Sequence, residues 1–210
     1  MTLVCLEIGK KRVFASALDW PGWARSGRGE AEALEALATY ADRYAEVAAA
    51  AGLSLPATAV DFVVRERLPG DMTTDFGAPG AVAAWEREPM PPEQARRRAG
   101  LLQASWTVLD RVVAVTPPHL RKGPRGGGRD RDTMVDHVLG AEVAYARKIG
   151  VRHRQPAGDD AAAVDALRRD IARAVVDPAL ADQAWPVSYL VRRMAWHVLD
   201  HAWEIQDKST

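Results

Sequence analysis

Three histidines carry the plainest chemistry in this sequence. In RRMAWHVLDHAWEIQDK, residues 192–208, His197 and His201 stand four apart. If the stretch is helical, about 6 Å of rise and about 40° of rotation separate them, so both rings face one way. His137, in MVDHVLGAE, lies three after Met134 and four before Ala141, which places it on an apolar, inward stripe as well. An inward imidazole has to be hydrogen-bonded, kept neutral or bound to something. One such ring on one helix and a pair on another can offer three nitrogens to a divalent ion, yet a core histidine is also readily satisfied by a backbone carbonyl. Spacing alone leaves both readings open.

Other polar residues gather around these three. Glu204 follows His201 by three and His197 by seven, on or beside the same face. It could orient a ligand or act as a general base, and it could equally be a solvated carboxylate paired with Lys208. Asp200 is rotated off the pair and is expected to anchor a basic residue of a neighbouring helix. LRKGPRGGGRDRD, residues 120–132, is cationic and glycine-rich but lacks the GK[ST] of a phosphate loop. It reads first as a solvated connection. Its sharper reading is an anion gate in which Arg125, Arg129 and Arg131 meet an anionic substrate near His137.

The elements that must position these residues change character along the chain. Leu3–Ile8 and Val13–Leu18 are short apolar runs separated by GKK and followed by DWPGW, the pattern of a hairpin and a turn. From Glu30, apolar residues recur every three or four positions through Val47 until Gly52, which predicts one helix. Val60–Arg67 reads as a further strand, so the first part is β-β-(β)-α-β. Residues 69–92 hold PGDMTTDFGAPG and EREPMPP, where prolines and glycines deny regular structure to most of the stretch. Beyond them four helices are expected. The first runs from Ala95 to Val113, and the second follows a capping box of Thr133 and Asp136 and ends near Gly150. The third spans about Asp160 to Val175, and the fourth starts near Pro186. The fold class expected is α+β: residues 1–68 a small module, 69–90 a linker, and 91–210 a four-helix bundle able to fold alone.

Composition narrows the function classes. The 28 basic and 28 acidic residues cancel, so no global field draws the chain to nucleic acid or anionic membrane. Cys5 is the single cysteine, which fits a reducing, cytoplasmic compartment and excludes a thiolate zinc cage. Neither the N-terminal run nor the alanine-rich stretch 44–60 reads as a signal or a membrane span.

MVDHVLGAE and AWHVLDHAWEIQDK (195–208) resemble the two metal-ligand motifs of the DinB-like four-helix-bundle superfamily, over roughly residues 91–210. The resemblance implies a facial triad of His137, His197 and His201 holding zinc, nickel or a similar divalent ion. Relatives of that kind include transferases and isomerases that use bacterial low-molecular-weight thiols, and also hydrolases. A mycothiol-type co-substrate is therefore expected, with a small-molecule substrate and room for a homodimer. ALDWPGWARSGRGEAEALEAL, residues 17–37, resembles the strand-turn-strand-helix core of HicB-like antitoxin domains, without their DNA-binding tail. The rival expectation is a non-enzymatic protein that binds a partner through this module and keeps only a structural or vestigial metal site.

Overall fold

The computed structural model describes residues 1–123, 128–177 and 184–209. Four strands, β1 (Thr2–Ile8), β2 (Val13–Ala17), β3 (Ala24–Gly27) and β4 (Phe62–Pro69), form one mixed sheet in the order β3-β2-β1-β4. β1 and β2 pair as an antiparallel hairpin, Val4 opposite Ala17 and Ile8 opposite Val13, whereas β4 lies parallel to β1. A parallel neighbour demands a crossover, and helices α1 (Glu30–Thr39) and α2 (Ala41–Ala50) supply it. The α+β class and the β-β-β-α-β order agree with the sequence reading.

The single helix expected between Glu30 and Gly52 is instead broken at Tyr40, which leaves helical geometry at φ −97°, ψ 7°. Two local forces account for the break. The Thr39 hydroxyl donates to the Ala36 carbonyl at 2.8 Å, a side-chain bond that competes with the helical ladder. The Tyr40 ring is held between Trp203, 5.1 Å away, and the Arg25 guanidinium at 3.6 Å.

A five-residue helix, α3 (Met72–Phe76), follows the sheet, capped by Asp71, whose carboxylate accepts from the Thr73 amide at 2.7 Å. Then come the four long helices α4 (Pro92–Val115), α5 (Arg131–Ala146), α6 (Ala161–Val175) and α7 (Val187–Lys208). α7 starts beside Pro186 as expected, with that proline as its N-cap, whereas α4 begins three residues before the expected Ala95, at Pro92, where a first-turn residue has no helical partner for its N–H. Gly150, at φ 85°, stops the turn that extends α5. The start of α5 differs from expectation. It begins at Arg131 with Asp130 as N-cap, and no Thr133–Asp136 box forms. Asp130 is drawn away by Lys122 at 2.6 Å and by the Leu120 amide at 3.2 Å.

Leu102, Leu109, Met134, Val138, Leu167, Ile171, Leu190, Met194, Val198 and Ile205 make the core of the four long helices. The second core joins Val4, Leu6, Ala15, Trp23, Leu37, Tyr44 and Val47 of the sheet side to Ala104 and Val108 of α4 and to Leu199 and Trp203 of α7. The turn before β3 reaches the same helix. Gly22 sits at φ 96°, and a Cβ there would come within 2.7 Å of Leu199.

Residues 69–90 are fastened by polar side chains. Buried Glu7 of β1 accepts from the Gly80 and Ala81 amides at 2.9 and 3.0 Å and from the Thr74 hydroxyl. From α7, Tyr189 donates to the Gly80 carbonyl, Arg193 to Pro79 and Arg192 to Ala81, all within 3.0 Å. Hydropathy periodicity reveals little of such a seam, because its hydrogen bonds leave no apolar repeat and its apolar part is small, Ala83 with Ala81 and Trp85 against Cys5, Leu18 and Leu68. The packing therefore argues against independent folding of the bundle. Residues 89–210 alone would expose Leu199 and Trp203, each worth about 1.5–3 kcal/mol when buried, and would leave Arg192 without Glu86. That fragment should lack a cooperative thermal transition under conditions where the full chain shows one; a sharp calorimetric transition in the fragment would reverse this expectation.

Candidate metal centre

His197 and His201 project from α7 and His137 from α5, and the three meet. The Nε2 atoms of His137 and His197 are 3.2 Å apart, and the ring centroids lie 5.0, 5.0 and 4.6 Å from one another. One ligand-competent atom from each ring falls within 4.8 Å of the other two. Tetrahedral or octahedral coordination with bonds of about 2.0–2.1 Å sets neighbouring nitrogens about 2.8–3.4 Å apart. His137 and His197 are already within that range, and the third nitrogen, within 4.8 Å of both, can be brought to it by a side-chain torsion. Three imidazoles and no thiolate suit zinc, nickel or a similar borderline ion.

The burial of the three is uneven. His197 is buried, His201 intermediate and His137 exposed, so the inward placement expected of His137 is corrected. The reason lies in the true buried arc of α5, which comprises Met134, Val138, Leu139, Glu142, Val143 and Ala146. At about 100° per residue, His137 falls about 60° outside the Met134 edge of that arc. It closes the cluster from the solvent side.

Electrostatics favours ligand-competent, neutral rings at His197 and His137. Burial, with help from the neighbouring His201 and His137, pushes the His197 pKa down to about 2. His137, though open to solvent on one side, is likewise lowered, chiefly by partial desolvation against its neighbours and then by His201 and Arg129. His201 is oriented by Glu204, whose carboxylate lies 3.0 Å from Nδ1. With that carboxylate as acceptor, Nδ1 carries the proton and Nε2 keeps its lone pair for the cluster. Glu204 in turn takes Lys208 at 2.5 Å, and the His201 bond, reinforced by Lys208, lowers its pKa to about 2. Both readings of Glu204 thus hold at once: it pairs with Lys208 and it holds a histidine.

A pH dependence follows for the metal-free protein. A histidine with an ordinary pKa of about 6.5 when unfolded and about 2 when folded binds its proton only in the unfolded state between those limits. Stability conferred by neutral His197 is therefore fully present above pH 6.5 and falls as pH drops below it, by about 1 kcal/mol per unit. Urea melts between pH 7.5 and 5 should show this loss, and His197→Gln should flatten it; an unchanged slope in the variant would remove His197 as the cause.

The cationic loop divides among several tasks. Arg125 lies outside the described residues. Arg129 is exposed and raises the positive potential at His137 and His197. Arg131 donates to the Thr116 carbonyl at 2.5 Å and pairs with Asp132 at 2.7 Å, a tie to the end of α4. Asp200 does anchor a cation, but Arg25 on strand β3 at 2.6 Å, not a residue of a helix. Cys5 is buried in the sheet, and burial lifts its thiol to about 11, too high for a nucleophile at neutral pH.

Sequence reasoning missed the charged centre of the bundle. Glu142 is buried, with Arg168 of α6 at 3.4 Å, and Arg168 also binds Asp110 of α4 at 2.9 Å. Burial raises the Glu142 pKa against the pull of Arg168. An open groove of about 670 Å³ between α4 and α6 runs over Arg168 and Trp106 and contains none of the histidines. Among the described residues no helix is long and apolar enough to cross a membrane. No protein-family model, curated protein or solved structure matches the chain.

Proposed function

We propose that this chain is a metal-dependent enzyme of the DinB-like kind, holding one divalent ion on His137, His197 and His201. Its reaction would be thiol transfer, isomerisation or hydrolysis. The observation that carries the reading is the 3.2 Å approach of His137 Nε2 to His197 Nε2, with His201 beside them on a carboxylate-set tautomer. Without an ion the two neutral rings can share one N–H···N hydrogen bond; with both protons on Nδ1 the same approach turns two lone pairs toward one ligand. An ion held by three neutral nitrogens keeps its charge, and so acidifies a water or thiol presented to it.

The chain's own residues would do the rest. His197 is kept neutral by burial, Glu204 fixes the proton of His201 on Nδ1, and Lys208 keeps Glu204 ionised. Arg129 adds positive potential that favours an anionic substrate or a low-molecular-weight thiol of the mycothiol type. Zinc and nickel are the first candidates for the ion.

The test is elemental analysis of protein purified without a metal-affinity tag, followed by zinc titration of the stripped chain. One equivalent per chain is expected, and no tight site would overturn the reading. Glu204→Gln should weaken the metal by about 10–100-fold in a chelator competition, because it removes the group that sets the His201 tautomer. An unaltered affinity would assign Glu204 to the Lys208 pair alone.

A further inference from the structure

Beside the histidines runs a ledge of rings. Tyr145 of α5 packs edge-on to His197 with centroids 5.9 Å apart, and Trp185 lies 5.3 Å beyond it at a 37° tilt. Trp185 also meets Tyr189 at 4.8 Å, and its backbone amide donates to the Lys148 carbonyl at 3.4 Å, so its position is set from two sides. Tyr145 and Trp185 both remain half-buried, whereas the other rings of α7, Tyr189, Trp196 and Trp203, are covered. Arg193 stands one turn before His197, buried, with its guanidinium 5.7 Å from the Tyr145 ring and 5.0 Å from that of Trp196. A donor bond to the Pro79 carbonyl at 3.0 Å holds it there.

These positions combine three preferences at one place. The histidine cluster takes a metal-binding head. The cation of Arg193 behind it, and Arg129 from the solvent side, favour that head as an anion. The uncovered parts of Tyr145 and Trp185 are aromatic surface that water solvates poorly and that a planar group covers well. Tyr145 is the partly open ring that touches His197, and Trp185 continues that open aromatic surface from it, while Trp196, the other aromatic side chain against His197, is buried.

We propose that Tyr145, Trp185 and Arg193 form the substrate-recognition ledge of the three-histidine site, selecting ligands with an anionic metal-binding head on a planar, apolar body. This rests on the metal reading above. The head lies at His197 and the body extends along Tyr145 toward Trp185. Arg193 is a positioning residue that acts on the head's charge.

Cobalt(II)-loaded full-length protein tests the idea without any turnover. Its visible bands should shift on adding benzohydroxamate or acetohydroxamate, two heads of equal chemistry on unlike bodies. In the parent the aromatic probe should bind about tenfold more tightly, the size of one good ring contact. In Trp185→Leu that preference should fall to about twofold or less, with acetohydroxamate affinity and cobalt binding unchanged. Tyr145→Leu should act in the same direction and guards against misfolding of the first variant. Equal affinity of the two probes in the parent, or a preference that survives in both variants, would overturn the ledge and leave the metal site standing. Absence of cobalt bands in the parent would instead overturn the metal reading, and the ledge with it.

Discussion

Replacing His197 by alanine should abolish tight zinc binding while leaving helical content nearly unchanged. His197 is the hinge of the triad, facing His137 at 3.2 Å and meeting His201 edge-on at 4.6 Å between centroids. Without it the two remaining nitrogens come from different helices and share no partner. Loss of a ligand exceeds the roughly 10–100-fold effect of losing a supporting group, so a fall of at least about a thousandfold is expected. The fold survives because the apolar core around Met194, Val198 and Ile205 does not depend on the ring. Calorimetric titration and far-ultraviolet dichroism on parent and variant check both halves. Equal zinc affinity in the two proteins would dismantle the three-histidine assignment.

The largest stability effect is expected far from the histidines, at Glu86. Its carboxylate receives Arg192 Nε at 2.7 Å and Nη2 at 2.9 Å, and also caps the Ala83 amide at 2.8 Å. Both side chains are almost wholly buried, at 2% exposure for Arg192 and 0% for Glu86. Glu86→Ala strands a guanidinium in a place where water cannot replace the lost anion. The expected loss is about 3–5 kcal/mol, a large share of the roughly 5–15 kcal/mol that holds a typical protein folded. Urea unfolding should show it directly. The double variant Glu86→Ala with Arg192→Met should recover much of the loss, because no unpaired charge remains. A single-variant loss below about 1 kcal/mol would mean that the pair is solvated in solution.

What the sequence made legible follows from which forces leave a periodic trace. The limits of α4, α6 and α7 could be read to within a few residues, since Pro92, Asp160 and Pro186 punctuate an apolar repeat. The approach of His137, His197 and His201 could be anticipated from one ring on one helix and a pair on another. The exposure of His137 could not. Glu142 occupies the middle of the buried arc of α5, and a carboxylate in that place makes the stripe look rotated toward His137. Its partner Arg168 lies on another helix, 26 residues away. The fastening of residues 69–90 was invisible for a related reason. Glu7, Glu86, Arg192 and Arg193 are charged residues doing a core's work, and no hydropathy pattern separates them from solvated ones. The break at Tyr40 depends on Trp203, which no local window contains.

Helix α7 completes both hydrophobic cores, giving Met194 and Val198 to one and Leu199 and Trp203 to the other. It also carries two of the three ligands and Arg192, which secures the segment between them. During synthesis none of these can close until residues 187–208 have left the ribosome. The sheet, complete at Pro69, must wait with its inner face incompletely covered until Lys208 is made, about 140 residues later, so the nascent chain depends on whatever shields Val4, Leu6 and Trp23 in that interval. Assembly of the three-histidine cluster and closure of the N-terminal core are therefore one event, set in time by the emergence of α7.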